Sequence, residues 1–331
     1  MAAESLDVVG IGNAIVDVIA QADDAFLARQ GLAKGSMRLI DAAQAEALYA
    51  AMGPGIEMSG GSAANTIAGI ASLGGSGAYI GKRSEDELGQ VFAHDIRSIG
   101  VRFATASLRH GPPTARCLIL VTPDAQRTMG TFLGASAELG PEDVAPELIR
   151  AAEVTYLEGY LFDPPRAKAA FRKAAELAHA AGRKVSLTLS DPFCVERHRA
   201  DFRALVQGHI DILFANEAEI GALYETTDFD AAAREVRGHC EIAALTRSEK
   251  GSVVVTAGAT HTVAAEKVAR LVDTTGAGDL YASGFLYGLT HGRDLATCAR
   301  LGSLCAAEII SHFGARPETS LKELGAKAGL L

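Results

Sequence analysis

Three short stretches combine residue types that could do chemistry. The first is D-T-T-G-A-G-D, residues 273–279, which runs straight into an apolar, small-residue helical pattern. Gly276 and Gly278 let a backbone approach a ligand closely. The N–H groups that open a helix, at the positive end of its dipole, form an anion site. Asp279 cannot itself hold a phosphate, because like charges repel. It can accept the proton of an alcohol held beside one. It can equally be a helix cap, a position that Asp favours, and the stretch alone does not separate the two.

The second stretch is S-G-G-S-A-A-N, residues 59–65. Gly60 and Gly61 precede a helix that carries Asn65 one turn in. An amide in an otherwise apolar helix needs a partner, either a ligand hydroxyl or nearby backbone. The third is D-I-L-F-A-N-E-A-E-I, residues 211–220, in which an apolar strand ends at Asn216 before Glu217 and Glu219. Ligands of open α/β sheets sit at the carboxyl ends of the strands. These groups face a metal–phosphate there, or merely cap a surface helix. Two other glycine-rich stretches fall short. G-I-G-N-A-I (10–15) has Ile15 where a dinucleotide fingerprint has its third glycine. S-G-A-Y-I-G-K-R (76–83) has Ser76 and Arg83 where a P-loop needs Gly and Ser/Thr. The nine histidines are scattered and show no metal-ligand spacing.

The elements that must position these stretches alternate along the chain. Strands are expected at 6–12, 77–81, 116–121, 154–157, 184–189, 211–214, 242–246 and 252–256. Helices are expected at 62–73, 87–99, 165–181, 231–240, 278–290 and 295–312. Short, continuous apolar strands between helices imply βαβ units and a mostly parallel, doubly wound sheet covered on both faces. Residues 14–44 and 104–135 alternate apolar and polar instead, as strands with one solvated face do. They form either a small projecting sheet or extra edge strands of the main one. The glycines of 52–61 make that segment the best hinge candidate.

Composition sets the outer bounds. The chain has 331 residues, 48% hydrophobic and 21% charged, as in an ordinary globular protein. A formal charge of −9 without a basic run argues against nucleic acid as the partner. The five cysteines are odd in number and show no C-x-x-C pair, which fits a reducing cytoplasm better than a disulfide framework or zinc site. A signal peptide and a membrane span are not expected.

The two glycine stretches, in this order and with N-x-x-E (Asn216 to Glu219) between them, resemble the signatures of the PfkB (ribokinase-like) carbohydrate and nucleoside kinase family. The likeness covers nearly the whole chain. G-N-A-I-V-D at 12–17, L-S-D-P-F at 189–193, D-I-L-F-A-N-E-A-E at 211–219 and Q-R-T-M-G-T-F-L-G-A-S at 126–136 are similar to segments of its adenosine kinases. The resemblance implies a three-layer α/β/α ribokinase-like fold in one domain, 1–331, with a β-sheet lid from about 14–44 and 104–135. It implies ATP-dependent phosphorylation of a primary alcohol, with Mg2+, by a monomer or homodimer.

Carried over by position, Asp279 resembles the base, and Gly276, Ala277 and Gly278 the anion hole. Arg127 resembles the lid arginine that neutralises phosphate charge. Asn13, Asp17, Gly61, Ser62, Asn65 and Phe193 fall at substrate positions. Asn216, Thr246 and Gly251, together with Gly278, fall at nucleotide positions. Glu219 would organise magnesium through water, and Asp273, Thr275 and Gly314 lie near a monovalent-cation (K+) site of many members. One departure stands out: Arg247 and Ser248 occupy the last two places of a T-x-G that many members carry after the strand ending at Thr246.

The substrate stays open between adenosine and a free sugar such as ribose, fructose or 2-keto-3-deoxygluconate. A non-catalytic nucleoside-binding sensor is a further alternative, against which Asp279 and Arg127 count. Adenosine needs an apolar slot for its base. By resemblance its walls would be Ile15, Met37, Leu39, Met129, Leu161 and Phe193.

Overall fold

The computed structural model describes residues 5–124 and 126–331, and a nine-stranded sheet runs through its centre. From edge to edge the strands are Thr260–Val263, Ser252–Thr256, Ile242–Thr246, Ile212–Asn216, Lys184–Thr188, Ala152–Glu158, Leu6–Ile11, Gly77–Ile80 and Arg102–Phe103. The last seven are parallel, and the first two close their edge antiparallel.

The strands are apolar throughout because both faces are covered. Successive side chains go to opposite cores. Val9, Leu157, Leu213 and Leu245 pack under helices Pro165–Ala180, Pro192–His209 and Glu217–Tyr224. Val8, Tyr156, Phe214 and Ala244 pack under Ser62–Ser72, Glu87–Ser98, Ala277–Thr290 and Leu295–Ile309. Each fully buried side chain of this kind contributes about 1.5–3 kcal/mol relative to exposure. The result is the expected three-layer α/β/α arrangement.

Two expectations about elements need correction. The helix read at 231–240 runs from Phe229 to Glu235, started by Asp228, whose side chain accepts from the N–H groups of Asp230 and Ala231. Helix Pro192–His209 was not anticipated. Its apolar contacts are interrupted at His198, which has non-helical φ −126° and ψ 25°, so the sequence shows no continuous stripe there.

A second sheet has the order Met37–Leu39, Arg127–Phe132, Ala115–Val121, Ile15–Gln21 and Gly55–Ser59. Segments 14–44 and 104–135 supply four of its strands. The fifth comes from the segment read as a hinge, so the glycine turn shrinks to Gly60–Gly61. Nor is either face simply solvated. Val18, Leu118 and Leu120 pack against Leu27 and Leu48, on the short helices Asp24–Arg29 and Ala42–Ala51. By alternation the opposite face carries Ile15, Asp17, Cys117, Ile119, Arg127 and Met129, where Ile15, Cys117, Ile119 and Met129 make an apolar cluster. Among the described residues no helix is long and apolar enough to cross a membrane, and none of the five cysteines is disulfide-bonded.

Candidate active site

The carboxyl ends of the parallel strands bring the singled-out residues together. Strand Leu6–Ile11 leads into Asn13, strand Ala152–Glu158 ends on a carboxylate, and the next two parallel strands that carry site residues end at Asn216 and Thr246.

Asp279 stands in the first turn of helix Ala277–Thr290. The preceding Gly276 has φ +74°, a left-handed conformation that glycine adopts without strain. One Asp279 oxygen accepts from Ser62 Oγ at 2.6 Å, and the other from Asn65 Nδ2 at 2.9 Å. Both bonds cross to helix Ser62–Ser72, which is not the bonding of a helix cap. Loss of hydration raises the Asp279 carboxyl above its ordinary range, while Ser62, Asn65 and the charge of Arg316 pull it down.

Asn65 spends its amide N–H on Asp279, so its Oδ1 is buried without a partner. Asn13 repeats the pattern. Its Nδ2 donates to Glu158 at 2.5 Å and its backbone N–H at 3.3 Å, which leaves Asn13 Oδ1 buried and unpartnered. Asp17 is buried above Gly60, where a Cβ would collide with its carboxyl group. Burial pushes Asp17 up to about 7 against the pull of Arg127 and Arg316. Gly61 has φ +91°, and a Cβ there would run into the Asn13 carbonyl oxygen. Two amide oxygens and a carboxylate therefore form an acceptor-rich corner suited to hydroxyl donors.

Arg127 reaches from the second sheet to Asp273, 3.3 Å away, and its Nη2 is buried without a partner. The same Asp273 carboxylate accepts from Thr275 N–H at 3.0 Å, Thr275 Oγ1 at 2.6 Å and Gly314 N–H at 3.2 Å. Arg127, Asp273, Thr275 and Gly314 thus meet at one point. Asn216 and Glu219 form a reciprocal capping box. Asn216 N–H and Nδ2 donate to the Glu219 carboxylate at 3.0 and 2.6 Å, and Glu219 N–H returns a bond to Asn216 Oδ1 at 2.8 Å. Burial pushes Glu219 up to about 7.

The departure from T-x-G has a local explanation. Ser248 takes φ +51°, the left-handed backbone that a glycine would adopt there. Arg247 lies 3.9 Å above the Phe229 ring and pairs with Glu217 at 3.0 Å. Its N–H donates to the carbonyl of Gly251, which has φ +86°. The turn after Thr246 is kept, and Arg247 fastens it from outside.

The apolar-slot residues divide. Ile15 and Met129 lie in the apolar cluster of the second sheet, and Met37 pairs with Met129 in register. Leu39 is exposed, and Phe193 is 64% exposed at the start of its helix. Leu161 is not a wall: it is fully buried in the core of the main sheet. Two shallow cavities of about 500 Å³, one beside Arg83 and Arg97 and one beside Tyr49 and Met52, contain none of the predicted site residues.

Two residues of the site were missed. Glu158 is wholly buried and accepts from Asn13 and, at 2.9 Å, from Ala63 N–H, tying the first loop to the helix that holds Asp279. An acid ending an apolar parallel strand is a legible signal. Arg316 lies in G-A-R-P-E, where nothing in the sequence marks it. Among the described residues, no group of three or more His, Cys, Asp or Glu side chains comes together to hold a metal.

Comparison with known proteins gives this geometry a context. Residues 56–321 match the pfkB family carbohydrate kinase model. An adenosine kinase from Sinorhizobium meliloti is 54% identical, with a TM-score of 0.94 over 98% of this chain and 99% of that one. A probable sugar kinase from Rhizobium etli CFN 42 is 51% identical, with a TM-score of 0.95 over 99% of this chain and 100% of that one. Adenosine kinase of Saccharomyces cerevisiae is 28% identical over 92% of this chain and 94% of its own length.

Proposed function

Because the chain belongs to the pfkB family of carbohydrate kinases, it is a phosphotransferase with an alcohol group as acceptor, and we propose that this alcohol is the 5′-hydroxyl of adenosine. The observation that carries the proposal is the face of the second sheet. There Asp17, an acceptor for ribose hydroxyls, stands beside Ile15, Cys117 and the half-buried Met129, backed by Ile119, an apolar flank for a nucleobase. Likeness to adenosine kinases supports it. The second reading, a free sugar, is favoured by the acceptor corner of Asn13, Asn65 and Asp17, which needs no base, and by likeness to a probable sugar kinase. An ATP-coupled screen of adenosine, inosine, ribose, fructose and 2-keto-3-deoxygluconate decides. Adenosine is expected to show the highest kcat/KM. A free sugar ahead by tenfold, about 1.4 kcal/mol of transition-state binding, overturns the proposal.

In this reading Asp279 accepts the hydroxyl proton while the alcohol oxygen bonds to the γ-phosphorus of ATP. The bond from that phosphorus to the bridging oxygen breaks, and ADP leaves. Phosphoryl transfer depends mostly on positioning and charge stabilisation. Ser62 and Asn65 fix the Asp279 carboxylate; the N–H groups of the 276–278 turn would meet the developing charge, Ala277 N–H first leaving the Thr274 carbonyl to which it donates at 3.3 Å. Arg127 leaves Asp273 for the transferring phosphate as the second sheet closes as a lid, excluding the water that would otherwise consume ATP. The family uses ATP, generally with Mg2+. Glu219, whose carboxylate is bonded to Asn216, would organise Mg2+ through water, and Asp273, Thr275 and Gly314 would hold a K+.

Asp17 gives a substrate-side test. Losing a charged acceptor for a buried ligand group costs about 1.5–3 kcal/mol. Asp17→Ala therefore raises KM for adenosine roughly 10-fold or more while leaving KM for ATP nearly unchanged. Equal loss toward both substrates would instead report a damaged fold.

A further inference from the structure

A buried cation from the C-terminal segment reaches the back of the site. Arg316 follows the turn at Gly314 that donates to Asp273. Its Nε donates to the Ser59 carbonyl at 3.1 Å and its Nη1 to the Ala64 carbonyl at 2.9 Å. Those two carbonyls stand on either side of Gly60–Gly61. Ser59 ends an edge strand of the second sheet. Ala64 lies in the first turn of the helix whose Ser62 and Asn65 hold Asp279. Arg316 Nη2 is buried with no partner.

The charges around this guanidinium are almost all negative. Asp17, Asp279 and Asp95 act on it, together with the phenol of Tyr79, which donates to the Asn13 carbonyl. Asp279 shares its surroundings with Asp17, Glu158 and Glu219 and the phenols of Tyr156 and Tyr160. Arg316 is the cation that opposes the effect of burial on Asp279. Asp17 feels Arg127 and Arg316 against Asp273 and Asp279, and lies near the Cys117 thiol.

We propose that Arg316 is a positioning residue: it clamps the di-glycine turn between the two sheets and places its positive charge behind the helix start that holds Asp279. The proposal rests on Asp279 being the base. An arginine suits both tasks, because its planar fork spans two carbonyls that a lysine cannot hold together while its charge persists at every working pH. Hydrogen bonds to carbonyls would fasten the turn without any charge. The charge is needed because a buried carboxyl among other acids is otherwise driven toward its protonated, inert form.

The test uses the full chain with ATP and adenosine. Arg316→Lys and Arg316→Gln are compared with the unaltered protein by kcat against pH from 5.5 to 9, by both KM values, and by thermal melting. For Arg316→Gln the acid limb of kcat moves to higher pH, so activity falls by a larger factor at pH 6 than at pH 8.5. For Arg316→Lys the charge remains and the limb stays in place, while KM for adenosine rises through the loosened turn and KM for ATP does not. A uniform loss at every pH in Arg316→Gln, or a limb that moves equally in both variants, overturns the charge role. If Arg316→Gln does not fold, Arg316→Lys decides alone: an unmoved limb with a raised adenosine KM supports the proposal, and any other outcome overturns it. Failure of the base reading is separate, since it shows as retained activity in Asp279→Asn whatever the Arg316 variants do.

Discussion

Asp279→Asn lowers kcat by roughly 10²–10⁴, the range for losing a general base, with a melting temperature close to that of the unaltered protein. Asparagine keeps the shape and one acceptor oxygen. That oxygen can still receive Ser62 Oγ, which bonds Asp279 at 2.6 Å. The other oxygen becomes an NH2 facing Asn65 Nδ2, but Asn65 Oδ1 has no partner, so a flip of the Asn65 amide restores the bond. Burial already disfavours the charged carboxylate, so neutralising the side chain carries little stability cost. KM for ATP should change by less than a few-fold, while KM for adenosine rises, because the flipped Asn65 turns its NH2 rather than its Oδ1 toward the substrate hydroxyls. An Asn variant within threefold of full activity would remove the base from the mechanism and leave Asp279 as a structural tie between two helices. Asp279→Ala is the poorer experiment, because it strands Ser62 and Asn65 and mixes stability with chemistry.

The parts of this fold that were legible from sequence are those where one physical signal dominates. Strand Ile212–Asn216 is apolar on both faces because Leu213 and Phe214 enter different cores, and a run of that kind reads as a buried strand. Helix Ala277–Thr290 announces itself by a glycine turn ahead of an apolar, small-residue stretch. Strand Gly55–Ser59 carries no such signal. Its Ile56 is 65% exposed at a sheet edge, and its flanking glycines and proline look like a loop. The second sheet misled in another way. Alternation in Ile15–Gln21 predicts that the Asp17 face is wet, yet Asp17 is buried there beside Ile15, Cys117 and Ile119, while Leu27 and Leu48 cover the Val18 face. Burial there is decided by tertiary contact, which a periodic pattern cannot report.

The site divides along the same line. Asp279, Asn65 and Asn216 sit in motifs whose spacing follows from local geometry: a helix start, one turn of helix, a capping box. Asn216 and Glu219 show the limit of such motifs, because capping and metal chemistry demand the same residues and the structure has them capping. Arg127 joins Asp273 across a sequence separation that no local rule spans, and the pairing of a second-sheet strand with the anion turn emerges only in three dimensions. Arg316 is the extreme case. It works through the carbonyls of Ser59 and Ala64, and backbone acceptors leave no trace in residue identity.

Glu158 carries the second large effect, on stability first and catalysis through it. Its carboxylate is buried and receives three donors: Asn13 N–H, Asn13 Nδ2 and Ala63 N–H. Burial pushes its carboxyl up to about 7, against the pull of those three bonds. Glu158→Ala removes all three acceptor positions at once and opens space beside Gly12, whose backbone packs on the carboxylate. A buried donor left unpaired costs about 1–3 kcal/mol. Asn13 can reorient to recover part of this, so the net loss is about 3–5 kcal/mol, read as a melting point several degrees lower. The catalytic consequence follows from position. Asn13 would no longer present its Oδ1 to the substrate, so KM for adenosine rises. The start of helix Ser62–Ser72 would lose its anchor, so Ser62 and Asn65 hold Asp279 less well and kcat falls too. Glu158→Gln keeps the volume and one acceptor oxygen, but turns an NH2 toward N–H groups, and should fall between the two. The decisive comparison is Glu158→Ala against the unaltered protein by calorimetry and by adenosine KM. A melting point within about one degree together with an unchanged KM would mean that the three bonds contribute nothing net, and that the first loop and the Asp279 helix pair are held by packing alone.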